Sequence, residues 1–417
     1  MTTAAAAVEY DPYAYEIHED PYPTYARMRD EAPVYRNDER NFWALSRYDD
    51  VMAGFRDSER FSNAQGVSID PAASGPNAHR TMSFLAMDPP EHGRMRGLVS
   101  RGFTPRRVAA MEDNIRALTV GHLESCLDAG SFDFVTDLAA KVPMDVISEM
   151  LGVPQADRAR LRRASDLLVH REEGVTDVPP AGVEAAFELA VYYSEMIADR
   201  RINPGDDLVS ALCQVKTDGD AVTDGDRLTD DEIVGFLFLM VVAGNETTTK
   251  LLGNAWYWAN RNPDEKSAAF ADPDLISPWI EETLRYDTSS QLLARLTLED
   301  YPIHGGVIPA GERVVLLAGS ANRDQRVFDN PDAYNIRRPQ PLPQLASFGF
   351  GRHFCMGASL ARLEARVAIE ELVDRIATYE LDDTGTKRVH SVNVRGFGSL
   401  PGTARFRPTS HRRLVAQ

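Results

Sequence analysis

Cysteine is scarce in this sequence, and the few cysteines present lie far apart. The 417 residues contain three of them, Cys126, Cys213 and Cys355. Three scattered thiols cannot form the dense disulfide framework of small secreted proteins, so we expect a reducing compartment.

Long hydrophobic runs and a basic amino terminus are also missing. The longest apolar stretch, residues 233–244, is well short of the roughly 20 residues that a membrane-spanning helix needs. Residues 1–8 contain neither the basic region nor the apolar region of a secretory signal peptide. We therefore expect no membrane insertion and a cytoplasmic location.

Positive charge is in deficit. The chain has 45 Lys and Arg against 63 Asp and Glu, a formal net charge of −18. This balance disfavours nucleic acid as a partner, because nucleic-acid binding needs a basic surface. Hydrophobic residues make up 43% of the chain, which is enough for a large core, and no repeat or linker divides it.

Cys355 lies in a glycine-rich loop that leads into a predicted helix. Residues 348–357 read FGFGRHFCMG, and an amphipathic run beginning ASLARLE follows. A thiol at a helix amino terminus faces unpaired N–H groups and the positive end of the helix dipole, which favours thiolate, the metal-binding form. Gly349, Gly351 and Gly357 allow sharp turns and the close approach of a flat ligand. A buried free cysteine in a glycine-rich turn is the alternative interpretation.

Helical patterns dominate the middle of the chain. Apolar spacing predicts helices over residues 106–129, 137–151 and 181–201. Strand-like segments lie towards both ends, at residues 33–36, 42–46, 293–298, 313–317 and 392–401.

A further helix, predicted from residue 230 to about residue 260, is apolar almost all round at first and should cross the centre of the molecule. Thr229 and the acids after it form a typical helix start. Residues 243–248, AGNETT, weaken the helix midway, since glycine costs about 1 kcal/mol relative to alanine and threonine hydroxyls compete for backbone carbonyls. Such a point can open a groove or hold a π-bulge. A tolerated polar patch is the alternative.

Two pairs of ionisable residues share predicted helix faces. Glu282 and Arg285 stand at i and i+3, a spacing that is usually a solvated ion pair. His92 and Arg96 stand at i and i+4 after Pro89-Pro90, which suits the start of a helix. Two such donors can clamp a carboxylate, although a histidine with a purely structural role is the alternative.

Taken together, these motifs resemble the cytochrome P-450 family. The Cys355 loop matches the family's haem-binding pattern, Phe-x-x-Gly-x-His/Arg-x-Cys-x-Gly, and the motifs occur in the family's order from residue 21 to the terminal strands. The resemblance implies one domain over residues 1–417, mainly α with a smaller β portion. It places haem between the central helix and the helix that follows the cysteine loop.

The resemblance also implies roles for individual residues. Cys355 would be the axial ligand of haem b, an iron protoporphyrin IX, and Glu246 and Thr247 would manage protons and water during oxygen activation. Glu282 and Arg285 would form a buried structural pair with a third arginine. The implied contacts to the haem propionates are His92, Arg96, Arg295 and His353. The implied substrate pocket contains Phe84, Leu85, Met240, Ala243, Gly244, Leu292, Leu293 and Val394.

Three departures from the family pattern stand out. Either Arg338 or Arg337 could be the third arginine of the structural network. Ala333 and Tyr334 occupy positions where the family often has Arg and Phe, and residues 286–291 lack the usual proline.

The activity implied is a haem-thiolate monooxygenase that inserts one oxygen atom from dioxygen into a hydrophobic small molecule, by hydroxylation or epoxidation. Electrons would come from a separate ferredoxin or flavodoxin-like protein with its reductase. Arginines on the cysteine side could form its docking patch, or could simply be scattered over the surface; they are Arg101, Arg106, Arg107, Arg352 and Arg366. The alternatives are a family member that uses peroxide or performs oxidative coupling, and a non-catalytic haem-binding sensor or carrier.

Overall fold

A computed structural model of the chain describes residues 7–127, 131–173, 175–214 and 227–408. Helices form most of it, and none of the described helices is long and apolar enough to cross a lipid bilayer. The helices are α1 Tyr15–Glu19, α2 Tyr22–Glu31, α3 Tyr48–Arg56, α4 His79–Met82, α5 Glu91–Val99, α6 Pro105–Ala109, α7 Glu112–Leu127, α8 Lys141–Leu151, α9 Gln155–Val169, α10 Pro180–Ile202, α11 Leu208–Gln214, α12 Asp230–Val241, α13 Thr247–Arg261, α14 Pro263–Ala271, α15 Ile276–Tyr286, α16 Ala318–Ala321 and α17 Ala358–Arg375.

The strands are short and form small sheets. They are β1 Val34–Asn37, β2 Phe42–Leu45, β3 Phe61–Ser62, β4 Ser131–Asp133, β5 Leu293–Thr297, β6 Tyr301–Ile303, β7 Gly306–Ile308, β8 Arg313–Leu316, β9 Ile376–Leu381, β10 Lys387–Arg388, β11 Phe397–Ser399 and β12 Pro401–Phe406. The largest sheet has the order β1-β2-β8-β5-β3, in which β2 and β8 are parallel and the other neighbours antiparallel. A second sheet has the order β4-β12-β9.

The predicted central helix is one continuous path through the molecule. Thr229 accepts a hydrogen bond from the Glu232 N–H, and the Glu232 side chain accepts one from the Thr229 N–H, which completes a capping box at its start. Between α12 and α13 lies a π-helical turn, Val242–Glu246, here called the π segment. Of the possibilities considered for this stretch, a groove, a π-bulge or a tolerated polar patch, the structure has the π-helical turn.

The π segment lies where two hydrophobic clusters meet. Side chains of α12, among them Phe236 and Met240, pack in one cluster with Phe84 and Ile147. Side chains of α13 pack in the other, with residues of α15 and α17. Because the helix contributes to both clusters, its weakened middle is fixed from either side.

The other helix predictions are right in type and differ at their bounds. The pattern over residues 106–129 is divided into α6 and α7, and its last two residues lie outside the described chain. The pattern over 137–151 begins in a second π-helical turn, Val135–Ala139, before α8. Within residues 392–401 the strands are β11 and the start of β12. Val394, which precedes them, forms an isolated bridge with Ser290 and is not part of a strand.

Candidate active site

The Cys355 loop is held by a backbone hydrogen bond and by two glycines in the left-handed region. The Cys355 N–H donates to the Phe348 carbonyl at 2.9 Å. Gly349 has φ +65° and Gly351 φ +71°, conformations that glycine adopts at little cost. A Cβ on Gly351 would also lie 3.1 Å from the Phe55 carbonyl oxygen. Gly357, by contrast, has φ −83°, so it is not one of the turning residues.

The Cys355 side chain combines accessible surface with a thiol that is enclosed by protein atoms. The residue has exposed surface, yet burial among protein atoms raises the pKa of its thiol. The backbone N–H groups of Gly357 and Ala358 and the charge of Arg96 favour thiolate, as the helix-terminus argument predicted, but burial outweighs them. The thiolate is therefore the form that metal binding produces by releasing a proton.

The π segment has accessible surface midway along the central helix. Ala243 is exposed although Asn245 and Glu246, which follow it closely, are buried. The Thr247 hydroxyl donates to the Ala243 carbonyl at 2.6 Å, so it takes up a backbone acceptor that the π turn leaves available. A Cβ on Gly244 would lie 2.9 Å from Ile147 Cδ1, so this glycine lets α8 approach closely.

A chain of contacts joins the cysteine loop to the central helix. Arg96 donates from Nη2 to the Phe354 carbonyl at 2.7 Å, and its guanidinium lies 5.6 Å from the centre of the Phe84 ring. Phe84 in turn lies 6.4 Å from Phe236 of α12, measured between ring centres. The predicted residues of the two segments are thus part of one site.

The four predicted propionate contacts converge at this site. The rings of His92 and His353 lie 4.2 Å apart between centres. The charges of Arg295, Arg96 and the exposed Arg352 all lower the pKa of His353. Arg295 is buried, and its one described side-chain hydrogen bond goes to the Ala294 carbonyl at 2.8 Å.

This cationic cluster is electrostatically costly by itself. Burial and the neighbouring cations lower the pKa of His353 to about 2, and burial lowers that of Arg295 to about 10. His92 Nε2 and His353 Nδ1 are buried without a hydrogen-bond partner in the described structure. A ligand with two carboxylates would satisfy these groups, so the residues fit a haem whose propionates they hold.

The predicted structural pair is buried and belongs to a larger network. Arg285 donates from Nε and Nη2 to the two carboxylate oxygens of Glu282, each at 2.8 Å, and both side chains are at most 1% exposed. Arg338 donates from Nε to both oxygens of Glu282 at 3.0 Å. Arg337 instead pairs with Glu265. The third arginine is therefore Arg338.

The departures from the family pattern have physical explanations here. Ala333 contributes its carbonyl oxygen, which accepts from Arg285 Nη2 at 3.1 Å and from Arg338 Nη2 at 2.7 Å. The Tyr334 hydroxyl is hydrogen-bonded to the Thr283 hydroxyl at 2.7 Å, a contact that phenylalanine would lack. In the stretch without proline, Asp287 accepts hydrogen bonds from Tyr22, Trp258 and Arg395.

The structure separates the predicted pocket residues into groups. Phe84 and Met240 pack in the α12 cluster, and Leu85, Ala243 and Gly244 keep accessible surface beside it. Leu293 and Val394 are half-buried. Leu292 is buried in a different cluster, around Tyr10 and Tyr25.

Two charged residues near Glu246 were missed by the sequence analysis. Lys250 Nζ lies 3.1 Å from Glu246 Oε2, with both side chains at most 5% exposed. The spacing at i and i+4 was a usable signal for this ion pair. Asp166 of α9 is hydrogen-bonded to Glu246, and no local pattern indicates a contact between residues so far apart in the chain.

Comparison with known proteins gives a consistent result. The family model described as cytochrome P450 matches residues 268–401. Cytochrome P450 123 of Mycobacterium bovis is 57% identical over 391 residues, which cover 94% of this chain and 96% of the relative. The polyketide biosynthesis cytochrome P450 PksS of Bacillus subtilis is 34% identical and covers 94% of this chain and 98% of its own length.

Solved structures agree in fold. CYP109E1 of Bacillus megaterium, in complex with testosterone, superposes with a TM-score of 0.85 at 33% identity, covering 94% of this chain and 99% of that one. CYP109Q5 of Chondromyces apiculatus gives a TM-score of 0.84 at 34% identity, covering 96% and 99%. On this similarity, the chain belongs to the cytochrome P450 family of haem-thiolate monooxygenases.

Proposed function

We propose that this P450 inserts one oxygen atom of dioxygen into a hydrophobic small molecule, with electrons from a separate ferredoxin-type protein. The observation that carries the proposal is the π segment. It combines an accessible Ala243, a Thr247 hydroxyl bonded to the Ala243 carbonyl, and the buried acid Glu246. An alcohol beside an acid in an opened helix turn can hold water and pass protons, which dioxygen use requires and peroxide use does not.

In this proposal each residue acts on binding, position or protons. Cys355 would bind the haem iron, and Arg96, Arg295, His92 and His353 would hold the propionates. Haem supplies the activation of dioxygen when it is bound. Thr247 exchanges its bond to the Ala243 carbonyl for one to water, which places a donor next to the accessible surface of the helix.

The proposed substrate is apolar because the α12 side chains that precede Ala243 on the central helix are largely apolar and belong to one hydrophobic cluster. Phe84, Phe236 and Met240 pack in that cluster. Solved structures of CYP109E1 are complexes with testosterone or corticosterone, and PksS is a polyketide biosynthesis enzyme. Steroids and polyketides are therefore the first compound classes to examine.

The proposed electron donor docks on the cysteine side of the molecule, and the protein works in the cytoplasm. Arg106, Arg107 and Arg352 are exposed there and can meet an acidic partner. Arg366 is engaged with Glu112 at 2.6 Å and with Glu370 at 2.7 Å, so it offers less free charge than the sequence suggested. The side chain of Arg101 lies outside the described part of the chain.

The test is a ligand screen followed by isotope labelling. Haem-loaded protein is titrated with testosterone, corticosterone, a long-chain fatty acid and a macrolide while the ferric Soret band is recorded. The compound that gives the largest shift is then turned over with a heterologous ferredoxin and its reductase under labelled dioxygen. One labelled oxygen atom in the product supports the proposal. Product formed only with hydrogen peroxide, or coupled product without label, contradicts it.

A further inference from the structure

Helix α9 crosses the central helix at the π segment. The Ser165 hydroxyl donates to the Val241 carbonyl at 3.4 Å, which fixes this part of α9 against the end of α12. The next residue, Asp166, is hydrogen-bonded through its carboxyl to the carboxyl of Glu246. Two carboxyl groups therefore meet directly beside Thr247.

A hydrogen bond between two carboxyl groups requires a proton on one of them, because an ionised carboxylate only accepts. Glu246 is 1% exposed, and Lys250 Nζ lies 3.1 Å from its Oε2, while no N–H or hydroxyl donor is described for its Oε1. Leaving a buried carboxylate without a donor is costly. A protonated Asp166 supplies the missing donor.

The surrounding charges place the proton on Asp166 and the negative charge on Glu246. Asp166 has exposed surface, yet the protein atoms packed around its carboxyl and the neighbouring Glu246 raise its pKa. Burial also acts to raise the pKa of Glu246, but Lys250 at 3.1 Å and the bond to Asp166 bring it below the ordinary value. Arg162, one helical turn before Asp166 on α9, is a further charged group that lowers the pKa of both carboxyls. Glu246 and Lys250 thus form an ion pair with a neutral acid beside it.

The two carboxyls differ in their access to water. Asp166 keeps exposed surface, whereas Glu246 has almost none. A proton that leaves Asp166 can be replaced from water, while Glu246 can receive one only through a neighbouring group. The pair therefore runs from a site that water reaches to the interior of the π segment.

We propose that Asp166 holds a proton in the resting protein and resupplies Glu246 with the protons that oxygen activation consumes. This inference rests on the proposed function. In the transfer the O–H bond of Asp166 breaks as an O–H bond forms on Glu246, and water returns a proton to Asp166. No electrons move. Asp166 is a positioning residue, since it acts on the site through Glu246.

A purely structural carboxyl pair that fastens α9 to the central helix would share this geometry, so the test needs measurements that separate the two roles. The variants are Asp166→Asn, which forms hydrogen bonds but supplies no proton, and Asp166→Glu, which keeps the acid. The control is Asp157→Asn on the same helix, nine residues before Asp166, where the carboxyl accepts from the Tyr192 hydroxyl at 3.0 Å.

The first measurement is made without turnover, by infrared spectroscopy of each protein at neutral pH. We expect a protonated-carboxyl band that is lost in Asp166→Asn, retained with a shift in Asp166→Glu and unchanged in Asp157→Asn. The difference between wild type and Asp166→Asn isolates this band from other buried acids such as Glu364, whose pKa burial raises to about 8. If wild type and Asp166→Asn give the same spectrum, the inference is overturned.

The second measurement uses haem-loaded protein with a heterologous ferredoxin and its reductase, in the presence of the compound that gives the largest Soret shift. For Asp166→Asn we expect dioxygen consumption to fall on the order of tenfold or more, with a larger solvent deuterium isotope effect and an altered pH profile, and Asp166→Glu should restore them. A lost infrared band with unchanged rate, isotope effect and pH profile overturns the supply role and leaves the carboxyl pair structural. A wild type that consumes no dioxygen overturns the proposed function, and the supply role with it.

Discussion

The Asp287 carboxylate accepts a hydrogen bond from Arg395 Nε at 2.7 Å, and neither side chain is more than 5% exposed. Arg395 also donates to the carbonyls of His18 and Glu19. Arg395 therefore connects the amino-terminal segment to Asp287 at the end of α15. It occupies the stretch in which the sequence lacks the family's usual proline. A buried charge pair here replaces a rigid backbone residue.

The first prediction concerns the pH dependence of this ion pair. Burial acts to raise the pKa of Asp287, but Arg395, Arg388, Trp258 and Arg323 outweigh it and hold the pKa at about 2. Because the folded-state pKa lies below the unfolded value, the stabilisation is complete above about pH 4 and declines as pH falls towards 2. Asp287→Asn should therefore lose about 2 kcal/mol of pH-dependent stability at pH 7.

Urea unfolding at several pH values measures this difference. Asp383→Asn is the control, since Asp383 pairs with Arg261 at an exposed position and should change little. A wild-type advantage that stays constant from pH 7 to pH 3 would contradict the assignment.

The second prediction concerns Glu282. Its substitution leaves the guanidinium groups of Arg285 and Arg338 buried without a counter-charge, and breaking a buried pair typically costs about 3–5 kcal/mol. Glu282→Ala should yield poorly folded, haem-deficient protein. The neighbouring Glu281→Ala is a matched control, because Glu281 pairs with Arg362 near the surface and such pairs contribute about 0–1 kcal/mol. The measurements are the haem occupancy and the melting temperature of both variants, and equal values for Glu282→Ala and Glu281→Ala would refute the prediction.

The third prediction identifies the axial ligand. The reduced carbon-monoxide complex of the wild type should show the long-wavelength Soret band of thiolate ligation. Cys355→Ser should lose this band, since its serine oxygen replaces the sulfur. Cys126→Ser in α7 and Cys213→Ser in α11 should keep it. Loss of the band in either control, with the fold intact by circular dichroism, would reassign the ligand.

The fourth prediction concerns Thr247. Thr247→Ala should keep its haem, because the described hydrogen bond of the hydroxyl goes to the Ala243 carbonyl, but it should divert electrons into hydrogen peroxide. Thr247→Ser retains the hydroxyl and should restore coupling. The measurement is product and peroxide formed per NAD(P)H consumed, and an unchanged ratio in Thr247→Ala would show that another group manages the protons.

The fifth prediction ranks the propionate contacts. Arginine is always charged and can bind two oxygens, whereas burial and nearby cations lower the pKa of both His92 and His353 and keep these rings neutral. Hydrogen bonds to charged groups contribute about 1.5–3 kcal/mol each. Arg96→Ala and Arg295→Ala should therefore release haem faster than His92→Ala and His353→Ala.

Transfer of haem to an excess of an apo-protein acceptor measures the four rates. Faster loss from the two histidine variants would mean that the arginines are not the main contacts. Arg352, which lies beside the cluster, would then be the next residue to change.

Sequence reasoning succeeded where the determining pattern was local. The turn at Gly349 and Gly351 and the π segment depend on residues within a few positions of one another. The burial of the Glu282–Arg285 pair was implied by the family resemblance, since a spacing of i and i+3 by itself is usually that of a solvated pair. The choice between Arg337 and Arg338 could not be made in this way, because it depends on the path of a loop that returns to α15. The contact of Asp166 with Glu246 was also out of reach, since it follows from how α9 lies across the central helix.

The Glu282 network has a consequence for how the loop before the cysteine can vary. Arg285 and Arg338 donate to the carbonyl oxygens of Asp329, Asn330, Pro331 and Ala333, and the Asn335 N–H donates to Glu282. These hydrogen bonds are made to backbone atoms of the loop, so they do not depend on which side chains the same positions carry. The loop is therefore free to diverge in sequence while its course is preserved, which is how Ala333 can stand where relatives often carry arginine. In this region, a comparison of backbone paths between related enzymes will be more informative than an alignment of their residues.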